Sequence, residues 1–158
     1  MRPVVFAILL LATTATAQQQ PQPEVRLTAG WAGFIDEDWL HHTALGGSVR
    51  YYLTRRLAVE PELLYMIGPG EDRDVSLIPH VSLDFRPGRP LRPYVIGGVG
   101  LLHHRDKISG IPFSDNEWGW NAGVGVRIPI ASRMFIAPEV RVGIEPALRI
   151  GGGFGFRF

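Results

Sequence analysis

The sequence predicts an all-β fold, an eight-stranded antiparallel up-and-down transmembrane β-barrel, and three observations predict it. Apolar and polar residues alternate with period two from Glu24 to the last residue, the alternation of a strand whose faces meet different environments. The alternating segments number eight and run to roughly ten residues each, the length that crosses a bilayer at a barrel's tilt. Charge is confined to one face of these segments, while Val, Leu, Ile and Phe occupy the other.

Ahead of the strands, residues 1–17 read as an export signal. Met1 and Arg2 make a cationic start, Val4 to Leu11 an unbroken apolar core, and Ala15-Thr16-Ala17 a small-x-small cleavage pattern. The apolar run is too short for a spanning helix, which needs about 20 residues. The mature chain is therefore expected to begin at Gln18. Residues 18–23, QQQPQP, form a short polar lead-in, and residues 24–158 form one barrel domain. With no cysteine, an exported chain is held by a core or a closed sheet rather than by disulfides.

In the first strand Val25, Leu27, Ala29, Trp31 and Ile35 share one face, and Arg26, Thr28 and Gly30 the other. Six more strands follow at about Ala44 to Leu53, Leu57 to Ile67, Val75 to Phe85, Pro93 to His103, Trp118 to Ile128 and Met134 to Ile144. Alternation blurs in the fifth, where Val95, Val99 and Leu101 are assigned outward and Gly98 and Gly100 inward. The eighth sets Leu148, Ile150, Phe154, Phe156 and Phe158 against Arg149, Gly151, Gly153, Gly155 and Arg157. Tight connections at Thr54 to Arg56, Arg86 to Leu91 and Pro129 to Arg133 alternate with long ones at Asp36 to His42, Gly68 to Asp74 and His104 to Glu117, with Glu145 to Ala147 a short exception. Such alternation puts short turns on one side of a membrane and long loops on the other. Trp31, Trp118 and Trp120 near the loop ends and Tyr51 near a turn fit interfacial girdles.

An internal repeat supports the strand count. Arg50 to Glu62 aligns without gaps on Arg127 to Glu139, with arginine, proline and glutamate in register, so strands two and three match strands six and seven.

On this assignment the inner faces hold Arg26, Arg50, Glu60, Glu62, Asp84, Arg127, Glu139, Arg141, Arg149 and Arg157. A Lys or Arg facing lipid at mid-membrane costs about 2–4 kcal/mol, so these residues belong inside. An eight-stranded barrel is only wide enough for side chains to fill, so Arg50, Glu60, Glu62, Asp84, Arg127, Glu139, Arg141, Arg149 and Arg157 are expected to form an ion-pair network that plugs it. Inward glycines such as Gly123, Gly125, Gly151, Gly153 and Gly155 make room for the long side chains.

The closing Phe154-Gly155-Phe156-Arg157-Phe158 resembles the last strand of bacterial outer-membrane proteins. Together with Leu57-Ala58-Val59-Glu60-Pro61-Glu62-Leu63 and Arg92-Pro93-Tyr94-Val95-Ile96-Gly97-Gly98-Val99-Gly100, it makes the mature chain similar to the outer-membrane β-barrel domain family, related to the barrels of outer membrane proteins A and X. The resemblance implies a Gram-negative outer-membrane location, contact with outer-membrane lipid, and recognition by the barrel-assembly machinery through Phe154, Phe156 and Phe158. It further implies a non-enzymatic role in envelope integrity or in surface interaction through extracellular loops, whose ligand or partner the sequence does not identify. No peptidoglycan-binding domain follows the barrel, so that role is not carried over. A closed barrel has no edge demanding a partner, and a monomer is expected.

Other chemistry finds little support. Without Arg2 the chain carries 15 basic and 15 acidic residues, which offers nothing to nucleic acid. His80, Ser82 and Asp84 share one strand face, and the lipid A deacylases, also eight-stranded outer-membrane barrels, have a His-x-Ser element. Here no Asn follows Ser82, the pair is not late in the chain, the parity turns it inward, and His80 and Asp84 lie roughly 13 Å apart along a strand. A lipid-modifying enzyme is the alternative reading and needs His80 and Ser82 to face the bilayer. A soluble lipocalin-like carrier needs an apolar lumen, which the inward charges oppose. His41-His42 and His103-His104 could meet at one rim near Asp36, Glu37 and Asp38, where a surface zinc or copper site is conceivable. Adjacent residues on an extended chain point to opposite sides, so each pair offers one ligand. Solvated loop histidines are expected there, and no catalytic residue, metal or cofactor is assigned. The glycine-rich segments at Gly97 to Gly100 and Gly151 to Gly155 precede no helix and read as strand glycines.

Overall fold

A computed structural model of the chain describes residues 21–35, 39–108, 111–144 and 146–158. The expected leader with Ala15 and Ala17, and the loop acids Asp36 to Asp38, lie outside these residues. The strands are β1 (Glu24–Ile35), β2 (Trp39–Tyr52), β3 (Leu57–Ile67), β4 (Arg73–Asp84), β5 (Arg92–Ile108), β6 (Ile111–Pro129), β7 (Met134–Ile144) and β8 (Leu148–Arg157). Each pairs antiparallel with the next, and β1 meets β8 from Glu24 opposite Arg157 to Gly33 opposite Leu148, closing the barrel.

β3 and β7 have the limits that alternation assigns them, whereas in the loop assigned to His104 to Glu117 the described residues, 104–108 and 111–117, are instead strand. β5 and β6 stay paired from His104 opposite Asp115 to Ile108 opposite Ile111, and β2 begins at Trp39 rather than Ala44. Apolar alternation stops where one face loses its lipid, but backbone pairing does not depend on it, so polar residues continue the ladder. Connections at this loop end comprise residues 36–38, 68–72, 109–110 and 145–147, against 53–56, 85–91 and 130–133 at the turn end. The expected alternation of loop length is thus replaced by an overhang of the strands themselves.

Three outward prolines coincide with breaks in the ladders. Pairing lapses at Pro61 between Ser48–Glu62 and Tyr51–Val59, at Pro79 between Leu77–Leu101 and His80–Gly98, and at Pro138 between Gly125–Glu139 and Ile128–Ile136. Proline has no N–H to give a ladder. The first and third breaks fall at equivalent places in the repeat, beside Arg50 and Arg127.

Outside, Leu27, Leu63, Leu77, Val81, Val99, Val124, Val142 and Ile150 are about half exposed in a continuous belt. Exposed charges lie at the ends, with Arg55, Arg56, Arg86, Arg89 and Arg133 at the turns and Glu71, Arg105 and Asp115 opposite. That distribution is a lipid-facing band between two wet rims. Trp118, 72% exposed, and Trp120 mark the loop-end border, and Tyr51 and Phe85 the other.

Candidate functional site

The alternation that puts leucine and valine outside turns every second residue inward, and the barrel interior is consequently layered. At the turn end Arg50 and Arg127 hold Asp84 at 2.8 and 2.9 Å. Glu60 meets Arg26 at 2.6 Å and Arg50 at 3.1 Å. Glu24 takes Arg127, Arg92 and Arg157 at 3.0 to 3.1 Å. The Arg127 guanidinium lies over the Tyr94 ring, 3.9 Å from its centroid.

Glu62 and Glu139 form the tier above. Glu62 binds Arg149 at 2.6 Å and Arg141 at 3.2 Å, while Glu139 binds Arg141 at 2.6 Å and Arg26 and Arg149 at 3.1 Å. The Tyr94 hydroxyl donates to Glu139 at 2.7 Å. Burying charge offsets its desolvation only where partners and hydrogen bonds are complete, and here most carboxylate oxygens accept from more than one donor. Space comes from glycine: a Cβ at Gly125 would collide with the Tyr94 ring, and one at Gly153 with the Arg26 side chain. The void left beside Glu139 and Arg149 is too small for a water molecule.

His80, Ser82 and Asp84 all face this interior and are buried, but each has its own partners. His80 Nε2 lies 2.9 Å from Asn121 Oδ1 and 2.7 Å from Arg141 Nη1, the Ser82 hydroxyl donates to the Ala58 carbonyl, and Asp84 is held by arginines. They form no relay, and neither His80 nor Ser82 reaches the bilayer. Residues that sequence reading left out of the network are Glu24, Arg26, Ser48, Tyr52, Arg92, Tyr94 and Asn121. Parity could have found each of them: Glu24 stands two before the inward Arg26, Ser48 and Tyr52 flank Arg50 by two, Arg92 and Tyr94 share the parity of Gly98, and Asn121 that of Gly123.

Above the charges lies an apolar layer of Ala32, Ala44, Leu64, Met66 and Leu102 with Phe34 packed against it. A separate polar cluster caps it at the loop end. Each histidine pair turns one ring inward: His42 is 3% exposed and His104 half-buried, whereas His41 and His103 face out, the latter 2.9 Å from Asn116 Oδ1. The carboxylates that meet them are Asp72 and Asp74, not the expected Asp36 to Asp38. His42 Nε2 lies 2.8 Å from Asp72 Oδ2 and 3.2 Å from Asp74 Oδ2, and His104 Nδ1 lies 2.5 Å from Asp74 Oδ1 and 3.7 Å from Asp72 Oδ1. Burial, with Asp74 beside it, pushes the Asp72 carboxyl above its ordinary value against the pull of the two histidines. Sequence reading brought the histidine pairs to one rim but missed Asp72 and Asp74, because Gly68 to Asp74 reads as a loop, where side-chain direction has no period.

Comparison with known proteins agrees with this architecture. The model of the family described as outer membrane protein beta-barrel domain matches residues 4–145. No curated protein matches the chain. Among solved structures, the N-terminal β-barrel domain of Pseudomonas aeruginosa OprF superposes with a TM-score of 0.70 at 23% identity, over 89% of this chain and 100% of that one. Neisserial surface protein A gives 0.74 at 14% identity over 86% and 97%. Ail, the attachment invasion locus protein of Yersinia pestis, gives 0.64 at 12% over 89% and 100%. At these identities the likeness is one of fold.

Proposed function

The chain belongs to the outer membrane protein beta-barrel domain family, and from that premise we propose that it is a plugged, non-enzymatic barrel. In this reading it reinforces the outer membrane and presents its β5–β6 overhang at the cell surface. The observation that supports the reading is the packing of the described interior: interlocked arginines and carboxylates, topped by an apolar layer, with the void beside Glu139 and Arg149 too small for water. A solute would have to break several buried ion pairs to pass.

The remaining parts of the proposal follow from the chain's layout. The leader is removed after Ala17, leaving Gln18 as the first residue. Phe154 and Phe156, on the outer face of β8, and Phe158, one residue past its end, are read by the assembly machinery. The turn end lies in the periplasm and the overhang outside, as short turns and longer outer extensions are arranged in such barrels. Full closure makes a monomer sufficient.

Expression in the outer membrane of a host with a periplasmic β-lactamase tests the plug. Entry of a chromogenic β-lactam is expected to stay at the level of cells without the protein. An increase that scales with expression would replace the plug with a pore.

A further inference from the structure

We propose that His42, Asp72, Asp74 and His104 form a binding site for one divalent transition-metal ion, with zinc the ion whose ligand preferences they match. The donor set is right: two imidazole nitrogens and two carboxylates are zinc's usual partners outside all-thiolate sites, whereas calcium asks for six or more oxygens. With both imidazoles neutral, the carboxylates' two negative charges equal those of the ion.

The geometry agrees. Ligand atoms of His42, Asp72 and Asp74 all lie within 4.8 Å of one another, and His104 Nδ1 closes the group from β5. Zinc bonds of about 2.0–2.2 Å place tetrahedral ligand atoms about 3.3–3.6 Å apart, so sub-ångström to ångström side-chain shifts suffice.

Unmet bonding points the same way. Although His42 Nε2 lies 2.8 Å from Asp72 Oδ2 and 3.2 Å from Asp74 Oδ2, neither contact is in line for a hydrogen bond, and among the described residues Asp72 Oδ1 and Asp74 Oδ2 accept none. Buried polar atoms left so are costly and uncommon. A cation at their common centre satisfies all three at once. In the lower tiers carboxylates meet arginines; here they meet imidazoles, across an intervening apolar layer.

The approach is kept open by Gly68. A Cβ there would strike His42 Nε2 and come within 2.5 Å of Asp72 Oδ2, so any larger residue would cover the cluster. Arg73 Nη1 donates to the Gly68 carbonyl at 3.2 Å and to the Asp72 carbonyl, holding the turn that carries Asp72. A bound ion would tie β2, the β3–β4 turn, β4 and β5 together at the rim.

The test is calorimetric titration of zinc chloride into the folded barrel in detergent, with folding of each variant checked by its shifted migration on unboiled gels. One zinc per barrel with micromolar or tighter affinity is expected. His42→Ala or Asp74→Asn should weaken it about a hundredfold or more, and His104→Ala, at the half-exposed rim, provides a variant that leaves the buried residues in place. The outward His41→Ala and His103→Ala should bind like the parent chain. Absence of saturable zinc binding, equal binding after loss of His42 and of His104, or calcium binding as tight as zinc would each overturn the proposal.

Discussion

Glu62 and Glu139 stand at equivalent positions of the internal repeat, and the closed barrel brings them to the same pair of arginines, Arg141 and Arg149. Arg50 and Arg127, equivalent at the repeat's start, likewise share Asp84. The repeat therefore places like charges in pairs and opposite charges between them. Removing one carboxylate strands several buried guanidinium groups, so Glu62→Ala should destabilise the barrel by about 3–5 kcal/mol. Urea-dependent loss of the unboiled gel band measures this, and a midpoint equal to the parent's would mean that the network is slack. Parity alone puts ten charged residues, from Arg26 to Arg157, on inner faces. It is silent on which acid meets which base, because partners such as Arg26 and Glu139 come from strands remote in sequence and meet only through closure.

At the scale of the strand, two surfaces are separately testable. Leu77 faces out between Leu63 and Leu101 in the belt, so Leu77→Arg should cost about 2–4 kcal/mol by the same unfolding measurement. The β5–β6 overhang is different, since it pairs only with itself beyond the rim. Deleting residues 106–113 should leave the folded fraction of the barrel unchanged, and failure to fold would show that the overhang supports the wall. Strand limits were legible where both faces change character together, as at Leu57–Ile67 and Met134–Ile144. They were not legible from His104 to Glu117, where exposed polar residues pair without an apolar face to announce it. The same blindness hid the two aspartates of the rim cluster, Asp72 on the β3–β4 turn and Asp74 beside it.

For the molecule as a whole, closure, the lipid-facing belt and the layered interior are one consequence of alternation carried around eight strands. The proposed leader adds an expectation of its own: protein purified from outer membranes should have a mass and N-terminal sequence starting at Gln18, and a chain retaining Met1 would contradict export by cleavage. The proposed plug rests on the packing of the interior, and ion flow reports on that directly. Purified barrel incorporated into a planar lipid bilayer should give no steady stepwise conductance above the bare-membrane level. Long-lived, uniform conductance steps from folded protein would contradict the plugged interior and require a continuous water path past Glu62, Glu139 and their arginines.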